Sequence, residues 1–249
     1  MRKTQEEIDK IKEGGKILNR ILLQTAELVK PGVSTWELNS FAESEIVKAG
    51  GRPSFKGYGN KGHLFPAGLC TSVNSVVVHG VPSKESILKE GDIIGLDIGM
   101  EYKGLFTDTA ITVPVGKISE KAQNLLSLTK KALSIGIAQA KIGNKVGDIG
   151  AAVQKVADDN KLGIIRDLVG HGVGHAVHEE PQVPNYGKKG TGPELTEGLV
   201  IAIEPMFTLG TDDIFIEDDG WTVTTRDESL AAHFEHTVVI TKNGPEILT

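Results

Sequence analysis

The sequence predicts an α+β fold built as two similar halves, and three observations carry that expectation. Helix signals come in pairs, at residues 4–48 and again at 119–159, and each pair is followed by a strand-rich block. The apolar runs in those blocks are short and bounded by glycine, as strands are. Finally, Glu90-Gly91 leads through DIIGL to Asp97 and Glu197-Gly198 leads through LVIAI to Glu204, so each half sets a carboxylate seven residues after the Glu. Such an echo is the mark of an internal duplication.

In chain order, Thr4 and Glu7 form a capping-box pattern, and Ile8, Ile11, Leu18, Ile21, Leu22, Leu28 and Val29 fall near one face of the first helix. Pro31 and Gly32 stop it. Ser34 and Glu37 repeat the start signal, Leu38, Phe41 and Ile46 supply the stripe, and Gly50, Gly51 and Pro53 close the second helix. A Gly-rich stretch, GYGNKGHLFPAG, precedes a strand expected over LCTSVNSVVVHG. Residues 89–113, KEGDIIGLDIGMEYKGLFTDTAITV, read as a hairpin turning around Tyr102 and Lys103. Helices are expected over 119–141 and 147–159, with Val146, Ile149, Val153 and Val156 at helical spacing, then strands from Ile164 onward with a turn at Asp219-Gly220. No linker or low-complexity segment interrupts this pattern, so residues 1–249 are expected to form a single catalytic domain.

Composition narrows the function classes. A hydrophobic content of 39% is enough for a substantial core, and the lone Cys70 excludes an intramolecular disulfide and points to a reducing, cytoplasmic compartment. Charges run through the first 22 residues, so they form neither a signal peptide nor a membrane anchor. The net charge of −6 argues against nucleic acid as a partner.

The chemistry sits in acids placed where core residues belong. If the hairpin pairs residues whose numbers sum to 205, Asp97 faces Asp108 directly across the ladder, with Cβ atoms about 5 Å apart. Ile94, Leu96, Ile98, Phe106 and Ile111 surround them, which argues against a wet face. Opposed buried like charges need compensation, by a shared proton or a bound cation. Glu204 in VIAIEPM and Glu235 in AAHFEHTVVI are acids of the same kind, and glycines flank His171 in VGHGVGHAVHEEP. Four carboxylates and one imidazole carry about four negative charges, which two divalent cations would balance. One cysteine is too few for a structural zinc site. An oxygen-rich set with one imidazole suits manganese, iron, cobalt or zinc. His171, His175 and His178 have helical spacing, but Gly170, Gly172 and Gly174 make a helix improbable there. The motif HExxH is absent, and His79, His63 and His175 taken alone read as structural.

The segments VVVHGVP, GLDIG, TDTA, GHGVG, HEEPQVPN, IEPM, DGWTVTTRD and FEHTVVIT, in this order over almost the whole chain, resemble the type I methionine aminopeptidases. That resemblance implies the pita-bread fold, in which two pseudo-symmetric halves share a central antiparallel sheet backed by helices. It also implies a dinuclear metal centre and removal of initiator methionine from nascent polypeptide N-termini when the second residue is small. Asp97, Asp108, His171, Glu204 and Glu235 would be the metal ligands, Asp108 and Glu235 bridging two ions of cobalt, manganese, iron or zinc. In the family's mechanism a metal-bound hydroxide attacks the scissile carbonyl. Glu204 would shuttle the proton, His178 would bond the carbonyl oxygen, and His79 would orient the amide. The methionine pocket would be drawn from Tyr58, Phe65, Cys70, His79, His178 and Trp221. Family precedent also implies a monomer with transient ribosome association and no membrane partner.

The chain departs from the family pattern in a longer loop from Gly57 to Gly68, in Val177 where an aromatic is common, and in His233 where glutamine is common. A proline-directed aminopeptidase or dipeptidase of the same fold is the nearest alternative, but this length leaves no room for its usual N-terminal domain. A non-catalytic pita-bread module is disfavoured because all five ligand positions are acid or histidine.

Overall fold

Both N-terminal helices begin where their capping boxes place them. In the computed structural model, which describes residues 2–249, helix α1 (Gln5–Glu27) starts after Thr4 and helix α2 (Thr35–Lys48) after Ser34, each with both reciprocal bonds formed. Helix α1 stops short of the expected Leu28 and Val29, and Leu28 is exposed. In α2 it is Ala42, not Phe41, that joins Leu38 and Ile46 on the buried face. The second pair, α3 (Glu120–Gln139) and α4 (Val146–Asn160), lies within a residue or two of the expected spans.

The strands that build the central sheet are β1 (Leu69–Val73), β2 (Ile93–Tyr102), β3 (Leu105–Pro114), β4 (Gly170–Gly172), β5 (Glu179–Val183), β6 (Val200–Ile203) and β7 (Glu235–Thr241). They pair antiparallel in the order β2-β3-β7-β6-β4-β5, with β1 also on β2, and Arg52–Pro53 and Gly244–Ile247 extend the sheet beside β2 and β7. The strand expected over residues 69–80 is broken. Asn74 turns with φ 54°, and its side chain donates to Asp92 and accepts from the Ile93 amide, separating β1 from the short strand Val76–Val78.

One face of the sheet carries the helices. Ile94, Leu96, Ile98 and Met100 of β2 pack with Leu18, Ile21 and Leu22 of α1 and Leu38, Ala42 and Ile46 of α2. On the other half, Ile201, Ile203, Val238 and Ile240 pack with Leu125, Leu133 and Ile137 of α3 and Ile149 and Val153 of α4. Each fully buried aliphatic side chain contributes about 1.5–3 kcal/mol relative to exposure. The two halves thus repeat one plan, a helix pair on one side of a strand pair, and they meet where β3 pairs with β7.

Candidate active site

The turn of the β2–β3 hairpin sets the position of the first two acids. Tyr102 pairs with Leu105, so the two-residue turn is Lys103-Gly104, with φ of 53° and 79°. Both are positive, as a type I′ turn requires. The register is therefore two residues away from the expected one: Asp97 pairs with Ala110, and Asp108 pairs with Gly99. The direct opposition expected from the sequence is corrected to a diagonal one. A two-residue shift preserves the face, so both acids still project from the same side.

That register aligns the rest of the site. Cys70 pairs with Asp97, Asp97 with Ala110, and Ala110 with Glu235, so one row crosses four strands on one face. Glu235 reaches this face because its motif is out of step with TDT by one residue. An acid at position 236 would pair with Thr109 and point to the opposite side, where His236 is found. The hydrophobic neighbours read as a shell around the acids, Ile94, Leu96 and Ile98, face the helices instead. Beside Asp97 on its own face stand Gly95 and Gly99, and a Cβ on Gly99 would lie 2.2 Å from Ser54 Oγ.

Threonine hydroxyls lock the seam between the halves. Thr237 Oγ1 accepts from the Asp108 amide at 3.1 Å and donates to its carbonyl at 2.8 Å, while Thr109 Oγ1 donates to the Glu235 carbonyl at 2.9 Å. His171 sits in β4, an extended strand and not a helix. Its two flanking glycines are required by close backbone: a Cβ on Gly170 would stand 2.4 Å from the Ala202 carbonyl oxygen, and one on Gly172 would stand 2.3 Å from that of Glu180. His171 Nδ1 lies 2.9 Å from the Gly172 carbonyl, the bond that leaves Nε2 as the free nitrogen, 3.4 Å from Glu204 Oε1.

These groups are buried and under-satisfied. Asp97, Asp108, His171 and Glu235 are all no more than 9% exposed. Burial pushes the Asp97 carboxyl up to about 6, and it raises Asp108 and Glu235 well above the ordinary carboxylate range, with neighbouring acids adding to the effect. For Glu204, burial also acts upward, but the imidazoles of His233, His171 and His178 outweigh it and hold its carboxyl below the usual value. Asp97 Oδ1, Asp108 Oδ1 and Glu235 Oε1 have no hydrogen-bond partner. Ligand atoms of Asp108, His171 and Glu235 lie within 4.8 Å of one another. Orphaned acid oxygens converging with an imidazole nitrogen fit a divalent metal, which would satisfy them and lower the cost of their burial.

Above this floor is a cleft of about 550 Å³. Its lining includes every residue expected at the site: Tyr58, Phe65, Cys70, His79, Asp97, Asp108, His171, His178, Glu204, Trp221 and Glu235. Phe55, Phe65, Ala67, Cys70 and Val177 form an apolar cluster with Trp221 at its edge, so Val177, where an aromatic is common in the family, packs against the wall residues Phe65 and Cys70. Burial raises the Cys70 thiol well above its ordinary value, leaving a small, neutral apolar group. His79 sits at φ 57°, an uncommon conformation for a non-glycine residue and one that accumulates at functional sites. Its pKa is lowered by burial. His178 is lowered to about 4, by burial first and then by His171, so it is neutral at pH 7. The Tyr58 hydroxyl lies 2.6 Å from His178 Nδ1.

Sequence reasoning missed several participants. His63 stacks on Trp221 with ring centroids 4.7 Å apart, which ties the Gly-rich hairpin Gly59–Asn60 and His63–Leu64 to the pocket wall. His233 is 3% exposed, with Nε2 3.6 Å from Glu204 Oε2. The signal was its place two residues before Glu235. Phe55 also lines the cleft and carried no motif, whereas Gln182 in HEEPQVPN and Met206 in IEPM lay within quoted segments but were given no role.

The comparisons agree with this geometry. The family model described as metallopeptidase family M24 matches residues 9–242. A methionine aminopeptidase of Aquifex aeolicus is 50% identical over 252 residues, covering 99% of this chain and 97% of the relative. Among solved structures, a methionine aminopeptidase from Thermotoga maritima has a TM-score of 0.97 at 42% identity, covering 100% of this chain and 98% of that one. A prolidase from Pyrococcus furiosus, at 24% identity, a TM-score of 0.79 and coverage of 100% and 65%, shares the fold alone. With the acid row, the imidazole and the pita-bread architecture all in place, the chain belongs to metallopeptidase family M24.

Proposed function

We propose that this protein is a metal-dependent methionine aminopeptidase that hydrolyses the first peptide bond of peptides and nascent proteins, preferring a small second residue. The observation that carries the reading is the convergence of Asp108 and Glu235 with His171, beside the unpartnered Asp97 Oδ1, at the floor of a cleft whose wall is apolar. In this reading Asp97, Asp108, His171, Glu204 and Glu235 would hold two divalent ions of cobalt, manganese, iron or zinc, with Asp108 and Glu235 the shared positions that the resemblance implies. When bound, such ions supply Lewis acidity toward the carbonyl and a nucleophile at neutral pH.

The chain's own groups do the rest. Phe65, Cys70 and Trp221, with Tyr58 at the rim, take the unbranched thioether side chain and place the scissile bond over the acids. Glu204, ionised because three imidazoles face it, accepts the proton of the attacking water and returns it to the leaving amine. His178 is neutral, and with Tyr58 at Nδ1 its Nε2 is the nitrogen left to bond the carbonyl oxygen as charge develops. His79, also in the cleft lining, orients the scissile amide. A methylene is worth only about 1–3 kcal/mol in such a pocket, so discrimination against slightly smaller apolar residues is modest.

The work of such an enzyme is protein maturation in the cytoplasm, by a single-domain monomer spanning residues 1–249 with transient ribosome contact. Hydrolysis of Met-Ala-Ser without hydrolysis of Xaa-Pro peptides is the expected result. Cleavage of Xaa-Pro alone would transfer the protein to the proline-directed branch of the fold.

A further inference from the structure

The third residue of the chain is a lysine with no exposed side-chain surface. Lysine is almost never fully buried without a partner, and chain ends usually fray. Lys3 Nζ lies 2.6 Å from Glu179 Oε2. The other oxygen of that carboxylate accepts the amides of His175 and Ala176, the latter at 3.0 Å. Gly174, at φ 141°, leaves room for the lysine stem, since a Cβ there would stand 2.2 Å from Lys3 Cε. A second tie runs alongside: His175 Nε2 is 2.7 Å from Glu7 Oε1, while Glu7 Oε2 caps α1 through Thr4. The Lys3 amide in turn donates to the Gly198 carbonyl at 2.8 Å, just before β6 and Glu204.

We infer that the N-terminal segment is a strap for the catalytic loop, with Lys3 and Glu179 as positioning residues that hold residues 174–179 and thereby aim His178 into the cleft. Glu179 is the direct chain neighbour of His178, and it binds the loop three and four residues back, so the loop closes around its own carboxylate with Lys3 as the anchor. A buried ion pair is a poor stabiliser compared with apolar residues of the same volume. What this one provides is placement, adding to the Phe106 amide on the Gly174 carbonyl and the Glu7 and Tyr58 contacts of His175 and His178 an anchor at the residue next to His178. The inference rests on the role given to His178 above.

The test uses metal-loaded full-length protein with Met-Ala-Ser. Lys3→Met keeps the stem and removes the charge. It is expected to lower kcat roughly ten- to a hundredfold, with KM changed by less than about threefold and metal content unchanged. Hydrogen exchange at the His175 and Ala176 amides should accelerate in the same variant. In a His178→Ala background, Lys3→Met should cost nothing further, because its effect passes through His178. Glu179→Gln retains an acceptor for both amides, and provides the same readout if Lys3→Met fails to fold. Unchanged kcat beside a lowered Tm, or a loss that adds in full to that of His178→Ala, would overturn the strap. A normal kcat in His178→Ala alone would instead overturn the reading of the reaction, and the strap with it.

Discussion

Burial and neighbouring acids raise both Asp108 and Glu235 well above the ordinary carboxylate range, and both are expected to serve both ions. Asp108→Asn or Glu235→Gln should abolish activity and reduce metal stoichiometry together, measured by turnover and elemental analysis of one preparation. Near-normal turnover in either variant would refute the dinuclear arrangement. His79→Ala, by contrast, should lower turnover while leaving metal content intact, and loss of metal would make His79 a ligand. Asp97 gives a pH signature in the metal-free protein. Its folded pKa is raised from 3.8 to about 6, so the folded state binds more protons than the unfolded one between those values. Stability contributed by that carboxyl is therefore present at low pH and lost as pH rises through the window. Metal-free Asp97→Asn should gain on wild type as pH increases from about 4 to about 7, read as the difference in denaturant midpoint; a pH-independent difference would contradict the shift. The four acids that line the cleft, Asp97, Asp108, Glu204 and Glu235, were legible because acids in apolar runs demand a reason. His233 was not given a role, because its contact with Glu204 depends on the break at Phe234 between the strands Ala231–His233 and Glu235–Thr241.

At the scale of elements, register decides which side chains reach the site. The hairpin was legible as two strands, but its turn was placed one step early, around Tyr102 and Lys103, whereas the positive φ at both turn positions is met by Lys103 and Gly104. The error was harmless for function only because it was even-numbered. Helix boundaries were legible from the caps, Thr4 with Glu7 and Ser34 with Glu37, since those bonds are local. The break at Asn74 was not, because it depends on Asp92 and Ile93 far along the chain. The β3–β7 seam offers a direct test. Thr237→Val removes the hydroxyl that bonds both backbone groups of Asp108, leaving buried polar groups unpaired at about 1–3 kcal/mol each. Chemical denaturation should show a loss in that range, accompanied by weaker metal binding. Unchanged stability would mean that the ladder closes without the hydroxyl.

The whole molecule is a device for bringing acids from two halves to one inner face while helices cover the other. Its two main apolar clusters, one per helix pair, supply the stability that the buried carboxylates oppose. Metal should therefore be linked to folding. At a free metal concentration about a hundredfold above Kd the folded state gains about 2.7 kcal/mol, so Tm should rise on loading and fall on chelation. The doubled plan was legible from the Glu-Gly echo, whereas the burial of Lys3 against Glu179 was not, because no local pattern encodes which distant segments meet. The central claim is that the inner face is a metal-dependent hydrolytic site for N-terminal methionine. Its most direct test is to strip the protein of metal and titrate manganese, iron, cobalt or zinc back while following methionine release from Met-Ala-Ser. Activity should be absent in the stripped protein and return in step with metal bound. Full turnover without metal, or metal binding that restores none, would contradict the account.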